Sequence, residues 1–137
     1  MDPFGVFKIS ASALEAQRTR MNLIASNMAN VHSTKTQEGG PYRRKDVVFS
    51  ALPLDEGPDA VQQGVQVEAV VEDPTPATMV YDPGHPDADK DGYVAMPNVK
   101  VIEEMVNMMM ATRAYEASVT TFNVSKTMFL KSLEIGR

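Results

Sequence analysis

The C-terminal segment, residues 97–137, has two rows of side chains, mostly apolar, at the spacing of a helix. It contains no proline or glycine between Asn98 and Gly136, and its apolar residues recur at alternating steps of four and three, which predicts a long helix of coiled-coil type. The first row consists of Val101, Met105, Met108, Thr112, Tyr115, Val119, Phe122, Lys126, Phe129 and Leu133. The second row consists of Met110, Ala114, Ala117, Thr121, Val124, Met128 and Ile135. At about 100° per residue the rows lie on opposite sides of the helix, whereas an ordinary surface helix has one apolar stripe. Separate neighbours are therefore expected to cover the two rows.

Both ends of this helix carry recognisable signals. Asn98 follows Pro97 and is predicted to be the N-cap. Glu103 and Glu104 lie near the start, where the helix dipole favours anions. Gly136 is predicted to end the helix.

A second helix is predicted over residues 4–31. Its seam is half apolar and half polar, and small alanines beside the seam allow a neighbouring helix to approach closely. The positions proposed to pair with the other helix are Phe7, Leu14, Met21, Ile24, Met28 and Val31. The simplest arrangement is an antiparallel hairpin with the C-terminal helix. Such a hairpin covers one of the two apolar rows and leaves the opposite row uncovered.

The middle of the chain changes character. Residues 32–46 are polar and contain a Gly39-Gly40-Pro41 turn signal, followed by a basic cluster at residues 43–45 that is either a solvated loop or a contact to an acidic neighbour. Short strands are predicted around residues 47–49, 65–71, 77–81 and 93–96. The predicted fold class is therefore mainly α with a small β insertion. The predicted segments are an N-terminal helix (1–34), a β-rich middle (35–97) and a C-terminal helix (98–137).

Length, charge and residue usage narrow the class of protein. With 137 residues the chain is expected to form one domain, and the absence of cysteine excludes disulfides and thiolate metal sites. A net charge of −5 argues against nucleic acid as a partner. No run approaches the roughly 18 apolar residues that suggest a membrane span. The N-terminal residues lack an uninterrupted apolar core, so no cleaved signal peptide is predicted.

One acidic stretch partly matches a calcium-binding loop. Asp87, Asp89, Asp91 and Gly92 match the first half of an EF-hand loop. The match then fails, because the twelfth position should hold a bidentate glutamate and instead holds Asn98. The two histidines lie alone in loops, and the chain contains no phosphate-binding loop or nucleophile motif. The sequence therefore predicts no catalytic, cofactor-binding or metal-binding residues, and no enzyme.

Three stretches resemble the flagellar axial proteins, the group of bacterial rod, hook and hook-associated proteins. Residues 25–30 resemble the ASN-x-AN motif near the N-terminus of that group, and residues 104–108 and 113–117 resemble its terminal helix. Residues 81–86, 88–89, 92–94 and 96–99 resemble the middle of the proximal rod proteins in particular, and residues 42–43, 45 and 47–49 fit the same proteins. The residues that carry the resemblance are Ser26, Asn27, Asn30, Asp82, Pro83, Gly84, Gly92, Tyr93, Pro97, Asn98, Glu104, Arg113 and Tyr115. One departure is Ser118, where the group often has asparagine.

The resemblance implies a structural subunit of the proximal rod of the flagellar basal body, assembled helically through its terminal helices. It implies as partners other proximal and distal rod proteins, the rod base near the export gate, and further copies of the chain. It also implies a place in the rod where the rod crosses the periplasm, reached by type III export without a cleaved signal peptide. The alternatives that the residues leave open are a helical-bundle adaptor and a calcium-responsive binding module.

Overall fold

Two long helices flank a β-rich middle in the computed structural model, which describes residues 3–54 and 62–136. The elements are α1 (Pro3–Ala29), β1 (Lys45–Pro53), β2 (Gln63–Glu72), β3 (Thr78–Tyr81), β4 (Tyr93–Met96) and α2 (Val101–Ile135). This order confirms the predicted fold class, and the strands fall on the four predicted stretches. No helix among the described residues is long and apolar enough to cross a membrane.

The helix α1 is the central layer of the molecule. It packs against α2 on one side and against the sheet formed by β1 and β2 on another. The β2 backbone approaches α1 closely at Gly64, where an added Cβ would lie 2.6 Å from Ser12 Oγ. The same hydroxyl accepts a hydrogen bond of 3.1 Å from the Val65 amide. Because α1 is covered on two faces, its mixture of small, apolar and polar residues does not form one amphipathic stripe.

The helices α1 and α2 run antiparallel, which confirms the predicted hairpin. At one end, the Phe7 ring lies edge-on to Phe122 with centroids 5.1 Å apart, and close to Phe129 at 6.4 Å. In the middle, Thr112 contacts Met21. Edge-to-face aromatic pairs add about 0.5–1.5 kcal/mol beyond their buried area, which secures this end of the helix pair.

The side of α2 that contacts α1 lies between the two predicted rows, closer to the first row than to the second. Its best buried members are Glu104 and Ala111, which belong to neither row. Small Ala111 lets the two backbones approach closely, and the first row then lies along one flank of the contact. The half-buried members of that row are Met108, Thr112, Tyr115, Val119, Phe122 and Phe129, whereas Val101, Met105, Lys126 and Leu133 are exposed.

Two antiparallel hairpins form the middle of the chain. The first pairs β1 with β2, from Lys45 opposite Glu72 to Pro53 opposite Gln63, with a register shift after Val48. The second pairs β3 with β4. Its turn requires Gly92, which has a φ of +84° and lies under the ring of Tyr81.

Three helix ends test the predicted boundaries. The prediction that Asn98 caps α2 is wrong: the cap position is Lys100, which makes no side-chain capping bond. Asn98 is instead held by backbone groups of the middle segment. The helix α1 ends at Ala29 rather than at residue 31, and a turn follows in which the Asn30 side chain donates to the Ser26 carbonyl. Gly136 ends α2 as predicted, with its amide bonded to the Ser132 carbonyl.

Candidate functional site

A cluster of polar side chains lies between α1, α2 and the start of β1. We call Asn27, Tyr42, Arg44, Asn98 and Glu104 the polar cluster. Asn27 and Glu104 have no exposed surface. The Asn27 amide nitrogen donates to Glu104 Oε2 (3.1 Å) and to the Lys45 carbonyl (2.8 Å). Its oxygen accepts from the Lys45 amide (2.9 Å) and from the Tyr42 hydroxyl (3.0 Å). One side chain of α1 therefore holds both α2 and the first residue of β1.

Arg44 supplies the charge that balances the buried Glu104 carboxylate. Its Nε donates to Glu104 Oε1 at 2.5 Å, and its guanidinium also lies 3.1 Å from Asp46 and 3.8 Å from Asp73. Burial acts to lower the pKa of Arg44, but the hydrogen bond and the negative charge of Glu104, with help from Asp46, outweigh it and raise that pKa. The arginine therefore stays charged, and the Glu104 carboxylate is buried with hydrogen bonds to both of its oxygens.

Asn98 connects this cluster to the segment that follows β2. Its oxygen accepts from the Arg44 amide at 2.8 Å, and its nitrogen donates to the carbonyls of Asp73 (3.2 Å) and Thr75 (2.9 Å). Hydrogen bonds from the Thr75 hydroxyl and amide lower the pKa of the Asp73 carboxyl. Asn98 therefore fixes the segment just before α2 both to Arg44, just before β1, and to the segment that follows β2.

The motif residues of the sequence separate into three groups in the structure. Ser26, Asn27, Asn30, Asn98 and Glu104 gather in or beside the polar cluster. Farther along α2, Arg113 is exposed and Tyr115 is half-buried. The remaining motif residues lie in the loop of the β3–β4 hairpin, at the start of β4 and in the link to α2. They are Asp82, Pro83, Gly84, Gly92, Tyr93 and Pro97.

Sequence reasoning missed two members of the polar cluster, Tyr42 and Arg44, as site residues. The basic run at residues 43–45 was predicted to be either solvated or in contact with an acidic neighbour. For Arg44 the acidic partner is Glu104 of the same chain, whereas Arg43 is exposed. The sequence signal for this pair is a glutamate on the side of α2 that faces another helix, because a buried carboxylate needs a cation nearby. Pairing residues 60 positions apart nevertheless requires the fold.

The side of α2 that faces away from α1 is largely apolar and exposed. We call the exposed members of the second row the outer stripe, and they are Met110, Ala117, Thr121, Val124, Met128 and Ile135. The seventh member of the second row, Ala114, is half-buried. Met128 is 67% exposed and Ile135 is 85% exposed. Further exposed apolar residues adjoin the stripe toward the start of α2, including Ile102, Val106 and Met109. Exposed apolar surfaces are typical of protein interaction sites.

The acidic stretch after β3 is a structured turn. Asp89 Oδ1 accepts from the backbone amides of Asp91 (2.9 Å) and Tyr93 (2.8 Å). Asp87 accepts from the Thr34 hydroxyl at 2.8 Å, and the imidazole Nδ1 of His85 accepts from the Asp87 amide. Within residues 3–54 and 62–136, no three histidine or acidic side chains converge as metal ligands. These side chains shape the turn and connect it to the loop that follows α1.

Known proteins match the chain over nearly its full length. Residues 7–35 match the family described as flagella basal body rod protein, and residues 90–135 match the family described as flagellar basal body rod FlgEFG protein C-terminal. The flagellar basal-body rod protein FlgC of Salmonella typhimurium is 47% identical over 132 residues, which covers 96% of each chain. The FlgC proteins of Borreliella burgdorferi and Bacillus subtilis are each 42% identical, and the matches cover 98% and 100% of each chain.

Proposed function

The chain belongs to the FlgC family of flagellar basal-body rod proteins, and on that basis we propose how it builds the rod as a structural subunit. Residues 1–34 and 98–137 form an axial domain of paired helices, and residues 35–97 form the middle segment attached to it. The axial domain assembles helically with neighbouring subunits of the proximal rod. The chain acts by binding its neighbours and not by catalysis.

The observation that carries this proposal is the exposed outer stripe of α2. The helix α1 already uses its two faces on α2 and on the β1–β2 sheet. The outer stripe therefore has no cover from the described part of its own chain and is available to another subunit. A contact between two different surfaces, repeated along an axis without closing, produces a helical assembly. Complete burial of one large aliphatic or methionine side chain contributes about 1.5–3 kcal/mol, so a few such side chains suffice to hold neighbouring subunits together.

The proposed neighbours follow from the family. They are other proximal rod proteins, the distal rod, the rod base near the export gate, and further copies of this chain. The proposed location is the basal-body rod where it crosses the periplasm. The route is type III export without a cleaved signal peptide.

Aspartates on the outer stripe test the proposal. Val124 and Met128 are 52% and 67% exposed, so assembly buries about half of each side chain or more. Val124→Asp with Met128→Asp should lose about 3 kcal/mol of interface free energy, which is roughly a hundredfold in affinity. Asn123→Asp with Thr127→Asp is the matched control, because both residues are exposed polar positions one step earlier on the same helix.

The assay is complementation of a strain of the source bacterium that lacks this chain. We expect the stripe variant to restore neither motility nor a purified rod, and the control to restore both. Circular dichroism of the isolated variants should show unchanged helix content. Full complementation by the stripe variant, or loss of its helix content in the isolated chain, contradicts the proposed surface.

A further inference from the structure

Burial of apolar side chains does not by itself decide which side of α2 faces α1. The covered side carries Met108, Phe122 and Phe129, and the outer stripe carries Met110, Val124 and Met128. Both sets are apolar and have helical spacing. A helix rotated about its own axis would therefore bury a comparable apolar area against α1. The Phe7 contacts with Phe122 and Phe129 favour the observed orientation at one end of the helix pair, and another interaction has to distinguish the two orientations at the other end.

The polar cluster distinguishes them. Glu104 lies in the centre of the covered side, where its two oxygens accept from Asn27 and Arg44. In a rotated helix, the carboxylate would leave these donors and apolar side chains would replace it. The part-buried Arg44 cation would then lose its closest anion. Losing one partner of a buried ion pair is strongly unfavourable, whereas the orientation that satisfies the pair carries no such penalty.

We propose that Arg44, Glu104 and Asn27 are positioning residues that select the face of α2 that packs on α1. A single buried polar residue has the same effect in coiled coils, where it specifies register at a cost in stability. The selection acts within one chain. Its consequence, that the outer stripe and not the covered side is presented to neighbouring subunits, rests on the function proposed above.

Disulfide trapping can test this, because the chain contains no cysteine and every thiol would be an introduced one. Met21→Cys with Thr112→Cys probes the observed face, where Thr112 Oγ1 lies 3.7 Å from Met21 Sδ. Met21→Cys with Met110→Cys probes a rotated helix, because positions two residues apart point about 160° away from each other. Both pairs are oxidised in dilute isolated chain, so that no subunit assembly is involved.

The ion pair of the polar cluster is then removed without leaving an unpaired charge. Arg44→Met with Glu104→Leu deletes the ion pair, and Asn27 keeps its bonds to Lys45 and Tyr42. Lys100→Met with Glu103→Leu is the matched control, since it deletes an exposed ion pair next to Glu104. Each of the two cysteine pairs is introduced separately into both double variants.

In the native and control backgrounds, we expect the 21–112 disulfide to dominate. In the Arg44→Met/Glu104→Leu background, the ratio of the 21–110 to the 21–112 disulfide should rise by about tenfold or more, which corresponds to 1.4 kcal/mol. An unchanged ratio in that background overturns the proposal, and so does a comparable yield of both disulfides in the native background. Because the chain is monomeric in this assay, a defect in assembly alone would not alter either ratio.

Discussion

Removing the Glu104 carboxylate should be among the most destabilising single changes in this chain. Glu104→Ala leaves the Arg44 guanidinium without its closest anion and one Asn27 donor bond unmade. Loss of one partner of a buried ion pair costs about 3–5 kcal/mol. Asp46 and Asp73 still lie near Arg44, at 3.1 and 3.8 Å, so we expect a value near the lower limit, about 3 kcal/mol.

A loss of this size is large compared with the total stability of a small domain, which is about 5–15 kcal/mol. Urea unfolding followed by far-ultraviolet circular dichroism measures the change, because the two helices dominate that signal. Glu103→Ala is the control. It removes the neighbouring carboxylate, whose ion pair with Lys100 is exposed to solvent and is expected to contribute less than about 1 kcal/mol.

A double-mutant cycle identifies the cause of the destabilisation. Arg44→Ala, Glu104→Ala and the combined variant should show a coupling free energy of about 1–3 kcal/mol, because residues in one buried network are not additive. Additive losses, or equal losses for Glu103→Ala and Glu104→Ala, would refute the reasoning that the buried pair holds the helices and the middle segment together.

Two further predictions concern the loops around the hairpins. Gly92→Ala should lower the free energy of unfolding, measured in urea, by about 1–2 kcal/mol, because its φ of +84° strains an L-residue and the new methyl group meets the Tyr81 ring at 2.9 Å. Gly84→Ala should lower the free energy of unfolding by less, because its φ is not positive and the atom nearest to the new methyl group lies 3.5 Å away. The lowered pKa of Asp73 contributes stability above its unfolded pKa of about 3.9, and that contribution is lost as pH falls through its lower folded pKa. Thr75→Val should therefore be destabilising in urea at neutral pH, with an effect that shrinks below about pH 4; an effect independent of pH contradicts this assignment.

Much of the fold could be predicted from local pattern. The steps of four and three over residues 101–135 predict one uninterrupted helix, because apolar side chains at that spacing share a side only in a helix. Alternating apolar residues around β2 predict a strand for the corresponding reason. The observation that α2 has more apolar surface than one partner helix can cover also needs only the sequence, since it depends on side-chain spacing and the length of the chain.

The tertiary structure decided how these elements meet. Asn98 is a good capping residue by type, yet it bonds to Arg44, Asp73 and Thr75, because those backbone groups lie within reach only after the middle segment has folded back. The line of contact on α2 passes through Ala111 and Glu104 and not through the centre of a predicted row. Periodicity measures only the apolar character of each side. The orientation that folds depends also on close backbone approach and on a buried charge that must find its partner 60 residues away.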